Sequence, residues 1–165
     1  MVAVTKYASL ERTEEALRSG LTHIGENRWQ DAKEKWEALG AKGLGTWHFI
    51  GHLQTNKVKD VVGRFHVIHS LDRLSLAEEV NKRASKLGIR VPCFVQVNVS
   101  GEQTKHGLNP DGLFSFLERL RSFPDIEPIG LMTMAPYEAD PERTRPVFRE
   151  LRRLRDEANR RGATE

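Results

Sequence analysis

Short apolar runs rich in Val, Ile and Phe alternate along this chain with longer stretches in which apolar residues recur every three or four positions. Runs of the first kind suit strands covered on both faces, and the second kind suits amphipathic helices. The order therefore reads as βα units with parallel strands joined by crossover helices. Six strands are expected, at Val2 to Thr5, Leu21 to Ile24, Trp47 to Ile50, Val67 to His69, Cys93 to Val97 and Pro128 to Met132. Ser9, Asp72 and Asn109, the last followed by Pro110, have the chemistry of helix starts, and Gly20, Gly40 and Gly88 stand where three helices should end in the left-handed conformation. A final helix is expected from about Pro146 to Arg161, running into Gly162-Ala163-Thr164-Glu165. Its Val147, Phe148, Leu151, Leu154 and Ala158 make an apolar face, while Glu150, Asp156 and Glu157 are mixed among its arginines. That mixture predicts a solvated face laced with ion pairs, not a stripe for nucleic acid.

No linker, repeat or low-complexity segment divides the 165 residues, so one domain is expected. Lys and Arg (26) nearly balance Asp and Glu (23), and the formal charge of +3 calls for neither nucleic acid nor membrane. The single cysteine, Cys93, lies in the apolar stretch Pro92-Cys93-Phe94-Val95 and reads as a buried, inert thiol, which favours a cytoplasmic location. No apolar run approaches membrane-spanning length, and Met1 to Lys6 does not read as a signal peptide. Six units suit either an open doubly wound sheet or an eight-unit barrel short of two, and periodicity does not separate these.

In both architectures functional groups belong on the loops after the C-terminal ends of the strands. Those positions hold Lys6, Gly25-Glu26-Asn27, the segment from Gly51 to Lys57, Ser70, Asn98 to Gly107, and Thr133-Met134. Lys6 stands out, because a period of two places it on the face of Val2 and Val4 at the end of an apolar strand. Partial desolvation there favours the neutral amine, the form that attacks an aldehyde. The plainer alternative is a strand-end lysine that reaches solvent or pairs with Glu26. His48 and His52 flank Gly51 without helical spacing or a cysteine pair, and His66 and His69 bracket a strand, so all four read as polar histidines and no metal is expected. Signatures of serine hydrolases, Walker-type nucleotide binding and dinucleotide binding are absent from the sequence.

Taken together, Val2-Ala3-Val4-Thr5-Lys6, Gly25-Glu26-Asn27-Arg28, the run from Trp47 to Lys57, His69-Ser70-Leu71-Asp72, Gln96-Val97-Asn98 and Gly130-Leu131-Met132-Thr133-Met134 closely resemble the pyridoxal phosphate homeostasis protein family. The resemblance covers essentially the whole chain, in order. It implies a (β/α)₈ TIM barrel of fold type III, like the N-terminal domain of alanine racemase, here represented by about six βα units. It also implies pyridoxal 5′-phosphate (PLP) held as a Schiff base on Lys6, with Asn27, Gly51, Asn56, Met132 and Thr133 in regions around the cofactor. Lys105, on the same rim, could accept the cofactor during its release. The implied function is intracellular PLP homeostasis and vitamin B6 balance without catalytic turnover, with apo PLP-dependent enzymes as recipients. The alternative is an amino-acid racemase or decarboxylase of the alanine racemase fold type. That chemistry needs a second acid/base across the cofactor from the lysine. Tyr7 is expected on the opposite face of the strand from Lys6, and Tyr137 in a Pro-rich loop, so neither is an obvious partner.

Against the family's pattern, a helix before the first strand and two units after the Thr164-Glu165 region are missing, including Ser-Met-Gly-Met-Ser and Arg-Ile-Gly-Thr-like stretches that contact the phosphate and pyridine. The expectation is a single PLP-binding barrel domain incomplete at both ends. A full-length form should be monomeric, whereas this chain should self-associate through the edges of strands 1 and 6 and hold PLP loosely.

Overall fold

The apolar runs do form strands. In the computed structural model, which describes residues 1–137 and 140–162, they are β1 (Ala3–Val4), β2 (His23–Glu26), β3 (Thr46–Phe49), β4 (Val67–Leu71), β5 (Val91–Gln96) and β6 (Ile126–Met132). The intervening helices are α1 (Leu10–Arg18), α2 (Trp29–Ala38), α3 (Val58–Val61), α4 (Leu74–Leu87), α5 (Leu113–Leu120) and α6 (Arg145–Arg160). All strand pairs are parallel, and the strand order is β1-β2-β3-β4-β5-β6. An order that never reverses has no switch point, so the doubly wound alternative is excluded and the winding is that of a TIM-barrel-like α/β fold. Among the described residues β1 and β6 are the outer strands. Thr164 and Glu165 lie outside those residues.

Alternation along the strands divides the sheet into two faces. Ile24, Trp47, Phe49, Ile68, Cys93 and Val95 are buried in one core with Leu76, Ala77 and Val80 of α4 and Leu113 and Leu117 of α5. Burial pushes the Cys93 thiol up to about 12, so the thiolate is not formed and the group is inert, as expected. The opposite face carries a row of rings, His23, His48, His69 and Phe94.

Helix ends follow local chemistry with two exceptions. Ser9 accepts a bond from the Arg12 N–H at 3.3 Å, and Asn109 accepts one from the Asp111 N–H at 3.0 Å to start the 3-10 turn Pro110–Gly112. Asp72 does not cap α4; the cap position is Arg73, whose guanidinium takes the Asp72 carboxylate at 2.7 Å. Gly88 ends α4 with φ +64°, as expected, but Gly40 is not left-handed. A Cβ on Gly40 would lie 2.6 Å from the Trp36 ring, so glycine is required there for packing. The arginines of α6 pair with acids along the helix, Arg153 with Glu150 at 2.7 Å and Arg161 with Glu157 at 2.7 Å among them. Among the described residues no helix is long and apolar enough to cross a membrane.

Candidate functional site

The end of β1 is built on a buried ion pair. β2 extends two residues beyond its expected end, to Glu26, and the Glu26 side chain is fully buried. A carboxylate is tolerated there because Lys35 of α2, itself buried, pairs with its Oε1, and the Thr5 hydroxyl donates to the same oxygen at 2.7 Å. Lys35 Nζ also donates to the carbonyl oxygens of Thr5 at 2.7 Å and Ala8 at 3.5 Å. The Ala8 N–H closes back onto Thr5 O at 2.9 Å, which makes Thr5 to Ala8 a β-turn with Lys6 and Tyr7 at its centre. One side chain therefore holds both ends of the turn that presents Lys6.

Lys6 is half-buried, and its Nζ lies 5.0 Å from the centre of the Tyr7 ring. Among the described residues no carboxylate forms an ion pair with it, because the acid expected beside it, Glu26, is taken by Lys35. Tyr7 does not occupy the opposite face of the strand. The alternation ends where the turn begins, and Tyr7 stands exposed beside Lys6.

The β1–β2 and β2–β3 registers pair Val4 with Gly25 and Glu26 with Phe49, so the turn carrying Lys6 leaves β1 beside the loop that starts at Asn27, and Ile50 leaves β3 next to it. Gly51 follows at once. A Cβ on Gly51 would lie 2.1 Å from the Asn27 carbonyl oxygen, so the two loops touch through backbone and only glycine allows it. Beside this contact is a cleft of about 660 Å³ whose lining includes Asn27, Arg28, Gly51, Gln54 and Lys57. Asn56 is exposed on the 3-10 turn Thr55–Lys57. Met132 and Thr133, both half-buried, lie at the end of β6, where Met132 O accepts from the Val97 N–H at 2.8 Å. The Thr133 hydroxyl is buried without a partner among the described residues. Lys105 is tied down, to Glu102 at 2.9 Å and to Met134 O at 3.3 Å. Thus Lys6, Asn27 and Gly51 stand at consecutive strand ends, and Met132, Thr133 and Lys105 group around the end of β6.

Sequence reasoning missed a histidine ladder on the face of the sheet opposite the helix-packed core. His23 Nδ1 meets His48 Nε2 at 2.9 Å, and His48 Nδ1 meets His69 Nε2 at 2.8 Å. A neutral imidazole donates from one nitrogen and accepts at the other, so His48 can satisfy both bonds only if the chain runs in one direction. Burial first, and then the neighbouring charges of His69 and His23, push His48 down to about 4. Burial also lowers His69. Adjacent strands with one histidine each on the same side were the available signal, but it needs the register.

Residues 2–164 match the family described as alanine racemase, N-terminal domain. A relative named pyridoxal phosphate homeostasis protein, from Aquifex aeolicus, is 46% identical over 160 residues, covering 97% of this chain and 70% of its own. Among solved structures, PipY of Synechococcus elongatus with PLP bound superposes with a TM-score of 0.89 at 31% identity, covering 99% of this chain and 76% of its own. Alanine racemase of Clostridium difficile in complex with cycloserine superposes at 0.81 with 16% identity, covering 99% of this chain and 45% of its own, a likeness of fold alone.

Proposed function

This chain belongs to the pyridoxal phosphate homeostasis protein family, within the alanine racemase N-terminal domain family, and on that footing we propose that it binds PLP as a Schiff base on Lys6 and serves PLP homeostasis as a carrier. The observation that carries this reading is the Lys6 turn. It presents a primary amine at a strand end, braced by Lys35 and free of a carboxylate partner among the described residues. A primary amine that no carboxylate holds is free to approach an aldehyde carbon. The Thr133 hydroxyl, buried at a strand end and without a partner among the described residues, fits a site that receives a polar guest.

When bound, the cofactor supplies an electrophilic aldehyde and an electron-accepting ring. The chain's part is to hold Lys6 in place through Glu26, Lys35 and Thr5, and to keep the Asn27 and Gly51 loops in contact. Asn56, Met132 and Thr133 complete the proposed surroundings, and Lys105 serves as a second acceptor lysine during release to apo enzymes. A racemase would need a second acid/base across the cofactor from Lys6. Tyr7 shares the turn of Lys6, and Tyr137 is fully exposed.

Titration with PLP, read by visible absorbance, should give an imine band that Lys6→Ala abolishes. Solvent deuterium incorporation at the α-carbon of alanine should stay at the level of free PLP. Fast exchange dependent on Lys6 would establish an enzyme instead.

A further inference from the structure

The loops after β3, β4 and β5 bring together three metal-binding side chains that are far apart in sequence. His52, Asp72 and His106 each offer a ligating atom, and these atoms all lie within 4.8 Å of one another. We propose that His52, His106 and Asp72 form a site for one divalent transition cation of the Zn²⁺ type, with water completing its coordination.

The donor set fits that class, since two imidazoles and one carboxylate suit zinc and its neighbours better than magnesium or calcium, which prefer all-oxygen sites. Three protein ligands with an open position make a familiar zinc arrangement. The backbone beneath the cluster is anchored. Arg73 binds Asp72 at 2.7 Å through Oδ1, and it donates to Leu53 O at 2.7 Å, beside His52. Gln96 Nε2 donates to His106 O at 3.3 Å, and the Leu108 N–H donates to Gln96 O at 2.9 Å, which ties the His106 loop to the end of β5.

The two imidazoles stack face to face, with centroids 3.8 Å apart and planes at 14°. Ligands around one zinc ion, at bonds of about 2.0–2.2 Å, sit roughly 3.3 Å apart. Closing the cluster to that spacing takes ring rotations, and both histidines are exposed. Lys6 stands at the end of β1 and is not part of this site, although His52 follows Gly51 in the loop after β3, so the metal is tested on the chain without added PLP.

The test is calorimetric titration of the dialysed full chain with ZnCl₂ alone, together with Co²⁺ absorption as a reporter of nitrogen ligation. One equivalent should bind, and His52→Ala, His106→Ala and Asp72→Asn should each weaken binding at least tenfold. His52 and His106 are exposed, so thermal melts of their variants should match the parent, whereas Asp72→Asn, at a buried side chain paired with Arg73, is judged on binding at a temperature where its own melt shows it folded. His23→Gln, which alters the ladder and not the cluster, should bind as the parent does. No binding by the parent, binding that survives the double histidine variant, or binding indifferent to Asp72→Asn would each overturn the three-ligand site.

Discussion

Lys35 and Glu26 form a buried ion pair immediately behind the turn that carries Lys6, and Lys35 spends its remaining hydrogen bonds on the carbonyls at the two ends of that turn. The pair therefore links the helix layer to the presentation of a single amine. Lys35→Met should leave Glu26 buried with the Thr5 hydroxyl but without its counter-charge, at a cost of about 3–5 kcal/mol. Chemical denaturation of the single variants and of Glu26→Gln/Lys35→Met should show the double variant losing less than the sum of the singles. Additive losses would mean that the two residues act independently.

The contact between Gly51 and Asn27 permits no side chain, since an added Cβ would sit 2.1 Å from a backbone oxygen that cannot rotate away. Gly51→Ala should destabilise the fold by about 1–3 kcal/mol or more and separate the two loops. A melt unchanged from the parent would show that the loops part without penalty.

His48 gives the stability a pH dependence of definite sign. It is held at about 4 in the folded chain against an ordinary 6.5, by burial first and then by the charges of His69 and His23. The unfolded chain takes up the proton below about 6.5 and the folded chain only near 4, so stability is complete above that window and falls as pH drops through it. Solvent screens part of the contribution from neighbouring charges, and a loss of about 2 kcal/mol is expected across the window. Denaturation midpoints at several pH values should fall more steeply for the parent than for His48→Gln. Parallel curves would remove His48 as the cause.

Much of the fold was legible because parallel strands covered on both faces are apolar throughout, which makes six runs visible without an alignment. The failures have local causes. Glu26 read as loop because a charge rarely ends a buried strand, and its partner Lys35 looks like any solvated helix lysine until α2 packs. Asp72 read as a cap, yet its carboxylate is drawn to the adjacent guanidinium of Arg73. Gly40 read as a left-handed stop, but the Trp36 ring decides that position. Lys6, Asn27 and Gly51 were legible as rim residues from strand-end logic. The His23–His48–His69 ladder and the His52, Asp72 and His106 cluster were not, because both depend on which strands are neighbours and in what register.

The measurement closest to the central claim is reduction of the PLP-loaded chain with borohydride, followed by peptide mapping of the pyridoxyl group. The turn held by Lys35 presents Lys6 as an amine without a carboxylate partner among the described residues, whereas Lys105 is engaged by Glu102 and the Met134 carbonyl. The label should therefore fall on the peptide containing Lys6, with a minor fraction at most on Lys105, and Lys6→Ala should lose both the label and the visible band. A label found mainly on Lys57 or Lys105, or a band that persists in Lys6→Ala, would contradict the account.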